Sequence, residues 1–231
     1  MWQGKKKAIT FSFDDAVTQD VRLIEILDKY GLKGTFNLNS SLLGLPGKLG
    51  RAGQEVNHNK IMPSNLKEIY QNHEVAVHTL THPRLPDLSD EAVTYQVEED
   101  RKKLSELCGY EVVGMAYPCG GVNNDDRVAE VIKTTTGVKY ARTITSTFSF
   151  ELQEENRFRF NPSVYIMDQE IDEVVDRFLA METDVPQLLY IWGHAYELDF
   201  SAMTWERFDA LCKKLSGRQD IFYGTNKEVL L

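Results

Sequence analysis

Cysteine is scarce. Cys108, Cys119 and Cys212 are the only three, an odd number set far apart. None of them forms a metal-type pair, and structural disulfides are not expected, which suits a reducing compartment. Long apolar runs are missing too. No segment approaches the ~20 residues that a membrane-spanning helix needs, and no secretory signal precedes the first strand, so the chain reads as cytoplasmic. Basic runs are limited to "GKKKA" (Gly4 to Ala8) in a chain of net charge −9. Duplex nucleic acid and anionic membrane are therefore poor partners. The Gly-rich phosphate turn of an open doubly wound sheet is also absent. In its place after the first strand stands "DDAVTQ". No linker, internal repeat or low-complexity tract interrupts the chain.

What is present is a regular alternation of strand and helix patterns. The 231 residues, 42% hydrophobic, suit one domain over residues 1–231. "KAITFSF", "GTFNLNS", "EVAVHT", "VVGMAY", "VKYARTI", "FRFNPSVY", "QLLYIWGH" and "DIFYGT" read as strands. Helical spacing is expected around residues 21–30, 64–72, 90–107, 125–136, 169–181 and 202–215, and "LLGLPGKLGRAGQ" reads as a long loop. Such alternation predicts parallel strands covered by helices. About eight strands favour an α/β fold of the distorted (β/α) barrel type over an open sheet.

Parallel α/β folds gather functional groups at the C-terminal ends of their strands. Four strand ends carry reactive residues here. The first ends in Asp14 and Asp15, the third in "HTLTHP" with His78 and His82, the fourth in "PCGG", and "QLLYIWGH" in His194. Two imidazoles and one carboxylate make a three-ligand face with open positions, which suits catalytic zinc and also non-haem iron. Adjacent strand residues point to opposite faces. Asp14 and Asp15 can share one site only if the strand breaks there, leaving one acid to ligate and the other free to accept a proton.

The stretches "TFSFDDA", "HTLTHP", "AYPCGG" and "LLYIWGHAYE" resemble the motifs of the polysaccharide deacetylases, carbohydrate esterase family four, in order and spacing across most of the chain. The resemblance implies a distorted barrel that removes acetyl groups from N-acetylated carbohydrate with a divalent metal, commonly zinc. It implies Asp14 as general base, His194 as general acid, Asp15, His78 and His82 as metal ligands, and the backbone N–H of Cys119 as an oxyanion donor. The aromatics Tyr117, Trp192 and Tyr196, beside Pro118, are candidates for stacking on a sugar ring, with barrel packing the competing fate of Trp192.

The chain also departs from that pattern. Many members carry an arginine two residues before the proline of the third motif, where this chain has Ala116. Arg142 and Arg159 are the candidates to reach the mouth instead. The fourth, acid–tryptophan motif has no clear match, so His194 lacks an assigned orienting acid; Glu197 and Asp199 are nearby, and solvent is the expected fate of at least one. His58 is expected to be a solvated loop histidine, His73 to meet carbonyls at a helix end, and Trp205 to anchor the last helix. Rival readings are a cysteine hydrolase built on Cys119 and His194, an iron oxygenase, a non-catalytic sugar-binding protein, and a hydrolase of another non-peptide C–N bond. O-acetyl esters are further possible substrates.

Overall fold

The computed structural model describes residues 1–51 and 53–231. The elements in chain order are β1 (Lys7–Asp14), α1 (Asp20–Lys29), β2 (Gly34–Leu38), β3 (Lys48–Arg51), β4 (Gln54–Asn57), α2 (Leu66–Ile69), β5 (Glu74–Val77), α3 (Asp90–Cys108), β6 (Gly114–Ala116), α4 (Asp126–Thr135), β7 (Tyr140–Arg142), β8 (Val164–Tyr165), α5 (Ile171–Ala180), β9 (Gln187–Gly193), α6 (Trp205–Leu215), β10 (Ile221–Tyr223) and α7 (Asn226–Leu230). Eight strands form one parallel sheet in the order β7-β6-β5-β2-β1-β9-β8, with β10 beside the first half of β1. The expected distorted barrel is what forms. Among the described residues no helix is long and apolar enough to cross a membrane.

Alternation in β1 explains how a wholly buried strand can be half polar. Phe11 and Phe13 face outward and pack edge-on against Phe208 of α6. Thr10, Ser12 and Asp14 face the barrel interior. There Thr10 donates to Asn226, and Asn37 of β2 donates to both Ser12 and Asp14. The interior is thus hydrogen-bonded, as buried polar groups require, while the main apolar core lies between sheet and helices. At the lower end of the barrel Glu74 accepts from Thr35, from Tyr140 and from the N–H of Lys227 in α7. Gly114 admits the Tyr140 ring: a Cβ there would sit 2.0 Å from its hydroxyl oxygen.

Two expectations need correction. The stretch read as a long loop, residues 42–54, carries β3 and the first residue of β4, which pair as an antiparallel hairpin that buries Val56. The strand expected over "FRFNPSVY" is broken. Residues Glu154–Arg159 form 3-10 turns, Phe160 bridges to Arg142 of β7, and β8 starts only after Pro162, which lacks an N–H. This one segment spans the gap between β7 and β9, because Phe160 N–H donates to Ala141 and Ser163 N–H to Tyr190.

Candidate active site

The reactive strand ends meet at one cavity of about 860 Å³. Its wall includes Asp14, Asp15, His78, His82 and His194. The break expected after β1 is present: Asp15 and Ala16 have φ of 87° and 53°. Positive φ recurs at Thr79, His82 and Cys119. Such conformations are costly for residues with a Cβ and concentrate at functional sites. Two of them, Asp15 and His82, carry side chains that converge with His78.

Asp15, His78 and His82 each offer one ligand atom, and these atoms lie within 4.8 Å of one another. The donor chemistry fits a divalent cation. His78 Nδ1 is 2.9 Å from the carbonyl of Ala116, which only accepts, so Nδ1 carries the proton and Nε2 is left with a lone pair. Burial, helped by His82, lowers the His78 pKa to about 4, with Asp14 opposing, so the ring is neutral near pH 7. Burial opposes ionisation of Asp15, but contact with His58 and the charges of His194, Lys60 and His78 hold its carboxyl well below the usual range.

Asp14 lies outside that cluster. Arg142, the last residue of β7, forks onto it with bonds of 2.5 and 2.6 Å, and Asn37 adds one of 2.8 Å. Burial again opposes the charge, but Arg142, His78 and His194 prevail and lower the Asp14 pKa. An arginine thus reaches Asp14 although position 116 is alanine. Arg142 is fully buried, so the expectation that it touches substrate is corrected: it touches Asp14 and lies over the Trp192 ring at 4.6 Å. Arg159 does not reach the cavity at all. It is tied to Asn124 and Asp126 on the flank of α4.

His194 finds the acid that sequence reading left unassigned. Its Nδ1 lies 3.2 Å from Glu197 Oε1, an ion-pair contact without hydrogen-bond alignment, and its N–H donates to Glu197 Oε2 at 3.0 Å. Tyr165 donates its hydroxyl to the same carboxylate and stacks on Trp192 at 4.5 Å. Burial works against a charged His194, but Glu197, then Asp15 and Asp14, raise its pKa to about 9. The H-x-x-E spacing within a short 3-10 helix was the available signal, since it seats the acid against its own turn. Asp199 is the exposed one of the two acids and accepts from Gln19 and Trp205.

Tyr117, Trp192 and Tyr196 line the cavity, whereas Pro118 is buried behind it. Tyr117 donates its hydroxyl to the carbonyl of Phe158, and Trp192 is packed between Arg142 and Tyr165. The Cys119 sulfur faces His82, at 3.5 Å from its carbonyl oxygen and 3.7 Å from Nδ1. Two histidines depart from expectation. His58 is not solvated but lines the cavity, 3.3 Å from Asp15 Oδ2. His73 meets the helix end only through its backbone N–H, which donates to the Tyr70 carbonyl, while its ring accepts from the N–H of Gly34 through Nδ1 and faces Asp28 at 3.2 Å.

Residues 3–140 match the family model described as "Polysaccharide deacetylase". The peptidoglycan-N-acetylglucosamine deacetylase PgdA of Listeria monocytogenes is 30% identical over 129 residues, 54% of this chain and 24% of that protein. The chain therefore spans about a quarter of the length of the curated relatives it matches. The fold is shared with the peptidoglycan deacetylase PdaC of Bacillus subtilis, at a TM-score of 0.55 and 20% identity over 97% of this chain and 90% of that one. It is shared also with a CE4-family pseudoenzyme of Bacillus anthracis, at a TM-score of 0.58 and 19% identity over 98% of this chain and 66% of that one. The chain belongs to the polysaccharide deacetylase family.

Proposed function

We propose that the protein is a metal-dependent hydrolase that removes acetyl groups from N-acetylated carbohydrate. The observation that carries this reading is the convergence of Asp15, His78 and His82 within 4.8 Å at a cavity that also presents Asp14 and His194. These three side chains would hold the cation, which the two-imidazole, one-carboxylate set suits as zinc. Bound there, it would supply Lewis acidity toward the acyl carbonyl and toward water. Asp14 is the base that accepts the proton of the attacking water. Arg142 and Asn37 keep it ionised and aimed. His194, charged near pH 7, is the acid that protonates the departing nitrogen. The backbone N–H of Cys119 donates to the oxygen that gains charge, a contribution of about 2.7–4 kcal/mol where such donors have been removed. Tyr117, Trp192 and Tyr196 present rings for a sugar.

The cysteine-hydrolase reading loses ground, because the sulfur addresses His82 and burial pushes the Cys119 thiol up rather than down. A non-catalytic reading is motivated by the pseudoenzyme among the proteins of like fold. The test is acetate release from a panel of N- and O-acetylated sugars, with metal stripped and restored. Release that follows the metal supports the proposal. Metal binding without release on any member of the panel supports the sugar-binding reading. Asp14→Asn is expected to keep its cation and lose about 10²–10⁴-fold in turnover, whereas Asp15→Ala is expected to lose the cation.

A further inference from the structure

The segment that follows β4 carries "NHNK", with His58 and Lys60 on alternate positions. It lies antiparallel to the turn after β1. Thr18 N–H donates to Asn59, Ile61 N–H donates to Ala16, and Val17 pairs with Lys60. The segment is braced from behind, since His58 N–H donates to Gly47 and Lys60 N–H to Leu45. Close approach at that brace requires Gly47, where a Cβ would meet the His58 carbonyl oxygen at 2.8 Å. Two side chains from this rigid frame then reach Asp15. Lys60 Nζ donates to the Asp15 carbonyl at 2.7 Å and secures the peptide that follows the positive-φ residue. His58 Nε2 sits 3.3 Å from Asp15 Oδ2, and its ring stands edge to face with Tyr196 at 5.0 Å.

The two oxygens of Asp15 are thereby divided. Oδ1 faces His82 Nε2 at 3.7 Å, with Lys60 Nζ at 3.8 Å beside it. Oδ2 faces His58, which is not part of the ligand cluster. We infer that His58 is a positioning residue for Asp15: it occupies Oδ2, presents Oδ1 to the cation, and so tightens retention of the metal without ligating it. The inference rests on the metal-dependent reading above. Partners that orient a ligating side chain are typically worth about 10–100-fold in metal affinity.

The test compares the full chain with His58→Ala and His58→Gln, stripped of metal and titrated with zinc against a chromophoric chelator. Circular dichroism and the melting temperature of the metal-free forms report on folding. His58→Ala is expected to fold as the parent does and to bind zinc about 10–100-fold more weakly, with faster release to excess chelator. His58→Gln, whose amide N–H can donate to Oδ2, is expected to recover part of that loss. Equal affinity of parent and His58→Ala overturns the inference and leaves the metal reading intact, whereas a parent that binds no divalent cation overturns the metal reading itself. X-ray absorption of the zinc form that counts three imidazoles instead of two also overturns the inference, by making His58 a ligand.

Discussion

Asp14 and Asp15 are chemically identical neighbours, and one backbone torsion separates their roles. Asp14 ends β1 in regular geometry and points into the barrel, where Arg142 and Asn37 hold it. Asp15, at φ 87°, turns to the histidines. Charge then sets their working range in pH. Asp14 lies below the ordinary carboxylate range and His194 at about 9, so the proposed base is ionised and the proposed acid protonated across neutral pH. A broad plateau of kcat/KM is expected. Its basic limb falls at or below about 9, since a cation on Asp15 would cancel part of the pull on His194. Arg142→Lys keeps a positive charge but loses the fork. Losing one charged hydrogen bond costs about 1.5–3 kcal/mol, so turnover should drop by about tenfold or more, and the acidic limb should move upward as Asp14 loses the forked hydrogen bonds that add to the retained charge in opposing burial. An unshifted acidic limb would show that Arg142 does not govern the base.

The first helix illustrates how an element's placement controls a titration. α1 opens with Asp20, whose carboxyl is buried against Tyr70 beyond α2. Oδ2 accepts the Tyr70 hydroxyl at 2.7 Å, while Oδ1 has no hydrogen-bond partner among the described residues. Burial pushes its pKa up to about 8, with the Tyr70 bond opposing. The folded state thus holds a proton that the unfolded chain releases near 3.8. Between about pH 4 and 8 the native form binds more protons, so this group's contribution to stability falls as pH rises and is flat above that window. Asp20→Asn, which cannot ionise, should therefore gain melting temperature relative to the parent between pH 5 and pH 8. Parallel melting curves against pH for the two proteins would refute the assignment.

Across the molecule, the proposed cation site would tie distant elements together. Asp15 follows β1, His78 follows β5, and His82 lies on the loop beyond it, so a bound ion cross-links segments that the unfolded chain leaves apart. Zinc at 100 times its Kd should add about 2.7 kcal/mol to stability if the unfolded chain has no affinity for it. Scanning calorimetry with and without chelator measures this. A melting temperature indifferent to zinc would mean that the three side chains do not close on an ion in the folded state. The polar interior makes the same point about integration, since the N–H of Lys227 in the last helix and the Thr35 hydroxyl of β2 donate to the same Glu74 carboxylate oxygen.

What the sequence determined by itself was local or periodic. Alternating strands and helices implied parallel strands and a barrel, because crossover connections leave few other solutions. Reactive residues at strand ends implied their convergence, because parallel strands share one C-terminal rim. Tertiary structure alone decided the rest. Arg142 lies 128 positions from Asp14 and meets it only because β7 and β1 enclose the same interior. His58 looked solvated because the brace of its loop is made of backbone hydrogen bonds to Gly47, Leu45 and Ala16, which no side-chain pattern records. The hairpin was hidden by strands too short to show a period, and the broken strand at Pro162 by apolar residues that serve two sheet edges in turn. Partners set by distance in space, not by spacing along the chain, become readable only once the barrel closes.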